Sequence, residues 1–233
     1  MTETGYRTAL IIGVGAGLSA SLARIFTEAG LSVALAARRG GDLAALAKET
    51  GGKAFTCDAA NRTEVTKLFA DVEAAVGGPD VVVYNPSYRT RGPFIELDPD
   101  EVEKSIRVSA FGGFLVAQEA ARRMLPRGRG AILFTGASAS VKGYAQSAPF
   151  AMGKFALRGL AQSLARELSP LGIHVAHVVI DGGIRSARRA DPPDRPDSTL
   201  DPDDIAQNYL NLLQQNRSAW AWEIELRPWV EKF

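Results

Sequence analysis

Short apolar, β-branched runs alternate with longer helical stretches through most of the chain, and this alternation constrains the fold more than any other feature. Strands are expected at Thr8–Ile12, Ser32–Ala36, Ala54–Thr56, Asp80–Tyr84, Ala131–Thr135 and His174–Ile180. Helical periodicity lies between them at Leu18–Ala29, Leu43–Glu49, Arg62–Val76, Pro99–Met124 and Phe150–Leu168. Runs such as Leu10-Ile11-Ile12 and Val81-Val82-Val83 are apolar on both faces, as in a parallel sheet covered on both sides. Strand–helix alternation of this kind predicts an α/β chain with βαβ units in a doubly wound, Rossmann-type parallel sheet. At 233 residues the chain is long enough for one such domain, spanning residues 1–233.

The punctuation agrees with these elements. Gly30 and Gly172 stand where C-terminal caps belong, and Asp98-Pro99 offers an N-cap followed by a proline at the first helical position. Residues 185–204 are rich in Pro, Asp and Arg and nearly lack large apolar side chains. The segment is therefore expected to be a mobile, lid-like loop. A last helix at Pro202–Gln214 and an edge strand at Trp220–Leu226 close the chain. In that strand Trp220, Trp222, Ile224 and Leu226 should share one face, with Glu223 and Glu225 opposite.

Charge and cysteine content narrow the class of function. Lys and Arg number 27 against 26 for Asp and Glu, which gives no general attraction to nucleic acid or an anionic membrane. The single cysteine, Cys57, forms no intrachain disulfide, and no Cys cluster is present for zinc. His174 and His177, three apart on a strand, point to opposite faces and read as strand histidines, not as metal ligands. The opening Met1-Thr2-Glu3-Thr4-Gly5-Tyr6-Arg7 lacks a signal-peptide profile, and no apolar run approaches the roughly 20 residues of a membrane span. A cytoplasmic protein is expected.

The first strand runs into Gly13-Val14-Gly15-Ala16-Gly17-Leu18-Ser19 and then a helix. Glycines there let the backbone approach a pyrophosphate, and the helix N-terminus offers free N–H groups and positive potential. A dinucleotide is the expected ligand of Gly13, Gly15, Gly17, Leu18 and Ser19. The second strand ends in Ala36-Ala37-Arg38-Arg39. An acid at that point would hold the adenosine ribose and repel a 2′-phosphate, whereas Arg38 offers it a forked cationic donor. The cofactor expected is NADP, ahead of NAD.

On these residues the chain is similar to the short-chain dehydrogenase/reductase family along nearly all of its length. The resemblance implies a single-domain Rossmann enzyme that moves a hydride between NAD(P) and a carbonyl or alcohol. The family's Thr-Gly-x-x-x-Gly-x-Gly motif is matched at Gly13 and Gly17, with Ile12 for its threonine and Ser19 for its last glycine. The resemblance implies that Cys57-Asp58-Ala59 meets the adenine ring, and that Asn85 of Tyr84-Asn85-Pro86-Ser87 answers the Asn-Asn-Ala-Gly motif. It likewise sets Asp181-Gly182-Gly183-Ile184 at the nicotinamide, through Gly182 and Ile184.

The family's Tyr-x-x-x-Lys pair reads Phe150-Ala151-Met152-Gly153-Lys154, and its helix asparagine aligns with Ser109. Lys154 remains, and Ser138, with Ser140 close behind, answers the family's serine. Lys154 can also hold the nicotinamide ribose. A tyrosine beside a lysine both stabilises the developing oxyanion and protonates it, and Phe150 does neither. Tyr144 is the first candidate for a substitute acid. Tyr84 and Tyr88 flank the altered asparagine motif, with Tyr84 read as loop packing. Arg89 and Arg91 either face an anionic substrate or form a solvated loop.

Two readings of function follow. One is an NADPH-dependent oxidoreductase acting on a small carbonyl substrate with a non-standard proton donor. Its enoyl-thioester reductase variant rests on Gly13 through Ser19 matching a Gly-x-x-x-x-x-Ser turn, although Ser147 stands seven residues before Lys154 where those enzymes carry tyrosine. The other is a catalytically silent NAD(P)-binding protein, a redox sensor or partner subunit. A homodimer or homotetramer is expected from the resemblance.

Overall fold

The computed structural model describes residues 5–187 and 189–230; residues 1–4, residue 188 within the lid-like segment, and residues 231–233 lie outside it. Its strands are β1 (Thr8–Ile12), β2 (Ser32–Ala37), β3 (Lys53–Thr56), β4 (Val81–Tyr84), β5 (Gly130–Thr135), β6 (Ile173–Ile180) and β7 (Glu223–Leu226). They form one seven-stranded sheet in the order β3-β2-β1-β4-β5-β6-β7, parallel throughout. The helices are α1 (Leu18–Glu28), α2 (Ala44–Thr50), α3 (Arg62–Val76), α4 (Pro99–Ile106), α5 (Gly112–Met124), α6 (Ala148–Leu168) and α7 (Pro202–Gln214). The expected doubly wound architecture is the one observed.

The apolar runs are buried on both faces because each face carries a helical layer. Ala9, Ile11, Val81 and Val83 pack with Leu22 and Phe26 of α1 and Tyr209 and Leu213 of α7. Their alternates Leu10, Ile12, Val82 and Tyr84 pack with Leu68 and Phe69 of α3, Val116 of α5 and Leu157 of α6. A one-residue register slip would exchange these two sets, so the packing on either side fixes the register. The caps also form as expected: the Asp98 side chain accepts from Asp100 N at 3.0 Å, and Gly30 takes φ +86° after α1, with Leu31 N donating to Phe26 O at 2.9 Å.

Two expectations change. The helix read as Pro99–Met124 is two helices joined by a π turn at Arg107–Phe111. Tyr84 explains the interruption: its hydroxyl donates to Val108 O at 2.5 Å and stands where a Cβ on Gly112 would collide with it. The hydroxyl takes a carbonyl that the helix would otherwise use.

The last strand is also shorter than Trp220–Leu226. Ile224 and Leu226 pack on the α1/α7 side, but Trp222 packs with the opposite cluster, so the shared face breaks before β7 begins. Trp220 stacks on His174 with centroids 4.7 Å apart. The segment after β6 is tethered at its base by polar contacts. Arg185 bonds Asp191 at 2.9 Å and Asp201 at 3.0 Å, Thr199 bonds Asp191, and Ile184 bridges to Leu200. Beyond that knot, residues 192–197 form a continuous exposed tip.

Candidate active site

The sheet order reverses at β1, which has β2 on one side and β4 on the other, and open α/β sheets bind ligands at the carboxyl ends of such a pair. There Gly13 adopts φ +83°, and a Cβ on it would lie 2.6 Å from Pro86 N, so only glycine fits between the two loops. Gly15 and Gly17 are different: a Cβ on either would meet nothing within 4 Å, because their α-carbons face open space. Gly17 caps α1 without a side-chain hydrogen bond, and no acid occupies the first turn. The N–H groups and positive end of the helix are thus left to an anion.

A cleft of about 980 Å³ opens from this turn. It brings together Gly13, Gly15, Arg38, Asp58, Ala59 and Asn85, residues from four separate stretches of sequence. Arg38 is exposed and makes no side-chain bond among the described residues, while its neighbour Arg39 pairs with Asp42 at 2.8 Å. The two arginines therefore separate cleanly, and Arg38 is the available cation. Asp58 accepts from Ala60 N at 3.0 Å, which shapes the turn after β3.

Two expected cofactor contacts have local duties. Ser19 is buried, its hydroxyl donating to Gly13 O at 3.1 Å and accepting from Asn85 Nδ2 at 2.6 Å. Ser19 thus braces the glycine turn and its side chain is not on the cleft wall, whereas Asn85 both ties that turn to β4 and lines the cleft. Leu18 likewise buries its side chain in the core, leaving only its backbone near the cleft. Gly182 and Ile184 lie in the turn after β6, where Ile184 packs on the core beside Leu200.

At the carboxyl end of β5, the same end of the sheet, Lys154 is buried and its Nζ donates to Thr135 O at 2.7 Å. Burial, and then the charge of Arg89, lower its pKa to about 7. Phe150, one helical turn earlier, presents its ring centroid 5.8 Å from Lys154 Nζ and 4.0 Å from the Arg89 guanidinium carbon. The helical spacing does bring Phe150 and Lys154 to one place. The two serines also separate. Ser140 Oγ accepts from Ala137 N at 3.1 Å and closes the turn after β5, while the half-buried Ser138 hydroxyl has no hydrogen-bond partner among the described residues. Ser109 is buried in the π turn, with Tyr88 N donating to it at 3.4 Å.

The five tyrosines are sorted by their hydroxyls. Tyr84 is fully buried and bonded to Val108, and burial raises its pKa. Tyr209 is buried 2.8 Å from Thr135 Oγ1, and Tyr6 points to Gly130 O. Tyr88 turns toward α4, where it meets Glu101 and Lys104. Tyr144 alone is half exposed with a hydroxyl free of hydrogen bonds among the described residues. The histidines are structural: His174 bonds Ala221 O at 2.9 Å, and His177 Nδ1 lies 3.0 Å from Glu223, which Arg158 clasps at 2.6 and 2.7 Å. Sequence reasoning missed Arg189, whose side chain passes 3.0 Å from where a Cβ on Gly183 would stand. Several arginines share its segment, and nothing in their order distinguishes it.

Comparison with known proteins agrees with this geometry. The short chain dehydrogenase family model matches residues 7–193. An uncharacterized oxidoreductase of Staphylococcus aureus strain N315 is 27% identical over 234 residues, covering 98% of this chain and 100% of that one. The crystal structure of a short-chain dehydrogenase from Rhodopseudomonas palustris superposes with a TM-score of 0.83 at 36% identity, covering 96% of this chain and 99% of that one. A metagenomic short-chain oxidoreductase solved in complex with NADP gives 0.81 at 28% identity, covering 95% and 97%. The chain belongs to the short-chain dehydrogenase family, a family of NAD(P)-dependent oxidoreductases. Among the described residues no helix is long and apolar enough to cross a membrane.

Proposed function

We propose that this chain is an NADPH-dependent reductase of a small carbonyl or enoyl compound, working without the family's tyrosine. The observation that carries the reading is the single cleft joining the open glycine turn to the unpaired Arg38. The residues fit a dinucleotide: Gly13, Gly15, Gly17 and the α1 N–H groups would hold the pyrophosphate, Asp58 and Ala59 the adenine, and Arg38 the 2′-phosphate. Asn85, Gly182, Ile184 and Lys154 would border the nicotinamide half. When bound, NADPH supplies the hydride. The NADP complex of the metagenomic relative supports this choice of cofactor for the present chain.

The chain's own side chains then handle the oxygen. Ser138, with a free hydroxyl, donates to the carbonyl oxygen and to the oxyanion that replaces it. Lys154 donates to the ribose, and its lowered pKa of about 7 lets it exchange protons near neutrality. Tyr144 delivers the final proton, being the tyrosine with an uncommitted hydroxyl. The exposed tip, residues 192–197, acts as a lid that closes over the site, with the Arg185 knot at its base. Phe114 on α5 and Met152 and Phe155 on α6 are exposed apolar side chains that suit a homodimer or homotetramer, checked by light scattering.

The test is a titration with NADPH and NADH, followed by a screen of aldehydes, ketones and enoyl thioesters for oxidation of the bound cofactor. Micromolar NADPH binding with turnover of at least one class bears the proposal out. Tight binding with no turnover of any class would leave the chain a nucleotide binder, a reading to which Phe150 and Ser109 lend their missing functional groups.

A further inference from the structure

The loop after β4 and the segment after β6 carry three arginines, and none is paired with an acid. The Arg89 guanidinium carbon lies 4.0 Å from the Phe150 centroid, the same ring that Lys154 approaches at 5.8 Å. Arg91 follows two residues later, in the stretch tied to the neighbouring loop by Gly92 N donating to Gln146 O at 3.2 Å. The Arg189 side chain packs against Gly183, with Cδ 3.0 Å and Nη1 3.1 Å from where a Cβ would be. Burial first, then Arg91 and Arg189, depress the pKa of Arg89, so the three charges sense one another.

Most carboxylates of these same loops are already engaged; Glu96, Asp194 and Asp197 are exposed, and none of them pairs with a described arginine. Asp191 takes Arg185 and Thr199, Asp201 takes Arg185 and caps α7, Asp181 takes Lys142 at 3.0 Å, and Glu101 takes Tyr88 and Lys104. No hydrogen bond or ion pair joins the guanidinium of Arg89, Arg91 or Arg189 to a described residue. All three side chains are exposed; like charges gathered there repel, and an oxyanion among them would reverse the sign of every one of those interactions. Forked N–H donors match the oxygens of carboxylate and phosphate groups.

We propose that the substrate of this site is a carbonyl compound bearing an oxyanion, held by Arg89 from one side and by Arg189 from the segment after β6. This rests on the oxidoreductase reading above and names its substrate class. Phe150 then has a role of its own, as the platform on which Arg89 lies flush with the reacting centre. Reduction consumes one NADPH and one proton. The carbonyl carbon accepts hydride with its electron pair, the C=O π pair becomes an alkoxide lone pair, and the alkoxide oxygen takes the proton. The product is the corresponding hydroxy acid or hydroxy phosphate, with NADP⁺ as the oxidised partner.

The experiment compares charged and neutral partners on the NADPH-loaded protein. Pyruvate, acetoacetate and levulinate are assayed beside their methyl esters, and dihydroxyacetone phosphate beside dihydroxyacetone, with malonate and inorganic phosphate binding measured by calorimetry. We expect kcat/KM to favour an anion over its neutral partner, and the favoured pair tells carboxylate from phosphate. In Arg89→Ala and Arg189→Ala the kcat/KM for the anion should fall about 10- to 100-fold, the worth of a hydrogen bond to a charged group. Arg89→Lys should recover part of the loss, and Arg166→Gln, an exposed charge change on α6, should match wild type.

Turnover that treats anion and neutral partner alike, in wild type and variants, overturns the anion site and leaves the oxidoreductase reading standing. Absence of all turnover, with malonate or phosphate binding lost in Arg89→Ala, overturns the oxidoreductase reading and keeps the anion site. Absence of both turnover and anion binding overturns both.

Discussion

Replacing Phe150 with tyrosine returns a phenol to a wall that already holds two cations. The ring lies 4.0 Å from the Arg89 guanidinium carbon and 5.8 Å from Lys154 Nζ. At an effective dielectric of about 20, a unit charge at 4–6 Å is worth roughly 3–4 kcal/mol to a phenolate, or about two to three pKa units. Burial opposes this, since the ring is only 5% exposed, and Lys154 with its pKa of about 7 is charged only part of the time. The cations still outweigh one desolvation penalty, so the new phenol should titrate below its ordinary value. A positioned general acid then raises kcat for carbonyl reduction by roughly 10²–10⁴-fold, less whatever the added oxygen costs in crowding. The assay is single-turnover oxidation of NADPH across pH, read for both the rate and a new ionisation. If Phe150→Tyr binds NADPH normally yet is no faster and gains no ionisation, and Tyr144→Phe is no slower than wild type, the reasoning about the missing acid is wrong.

Other outcomes follow from the same geometry. Arg38→Asp should weaken NADPH binding about 10- to 100-fold and leave NADH equal or favoured, through loss of a charge-assisted bond and gain of repulsion; unchanged affinities for both cofactors would remove Arg38 from the site. His177 is held neutral by burial, its pKa lowered to about 4 from 6.5, so the folded state binds fewer protons than the unfolded between those values. Stability should therefore fall as pH drops from 6.5 to 4, by about 3 kcal/mol from this group, and urea titrations of His177→Gln should lose that slope. Hydrogen exchange in the exposed tip, residues 192–197, should be rapid in the free protein and slowed by cofactor with an oxyanion substrate, while the Thr199 amide, bonded to Asp191 at 2.8 Å, should exchange slowly in both; uniform protection would refute a lid.

The sheet could be read from the sequence because burial on both faces leaves uninterrupted β-branched runs, and the helices because their apolar residues recur at helical spacing. The π turn could not. Pro99–Met124 keeps a helical pattern throughout, and the interruption comes from the hydroxyl of Tyr84, a residue on a strand. Trp222 escaped its assigned face because strand alternation holds only where the ladder does, and β7 starts at Glu223. In the site, the glycine turn and Arg38 were legible because a fixed strand–turn–helix spacing sets their positions. Ser138 and Ser140, and Tyr84, Tyr88 and Tyr144, are told apart by which hydroxyl already has a partner, which only the three-dimensional structure reveals. Arg189 could not be singled out for the same reason: Arg185 takes Asp191 and Asp201, and Arg189 is left without an acid, a pairing that only the folded chain reveals.

The most direct test of the central claim is the transfer of deuterium from NADPH labelled at the transferable C4 position of the nicotinamide. The protein is incubated with labelled cofactor and the carbonyl or enoyl compounds that bind, and the products are read by mass spectrometry and NMR. One deuterium per turnover is expected on the former carbonyl carbon, or on the β-carbon of an enoyl substrate, with the label gone from the oxidised cofactor. Products without label, or tightly bound NADPH that keeps its deuterium in the presence of every substrate class, would contradict hydride transfer by this chain.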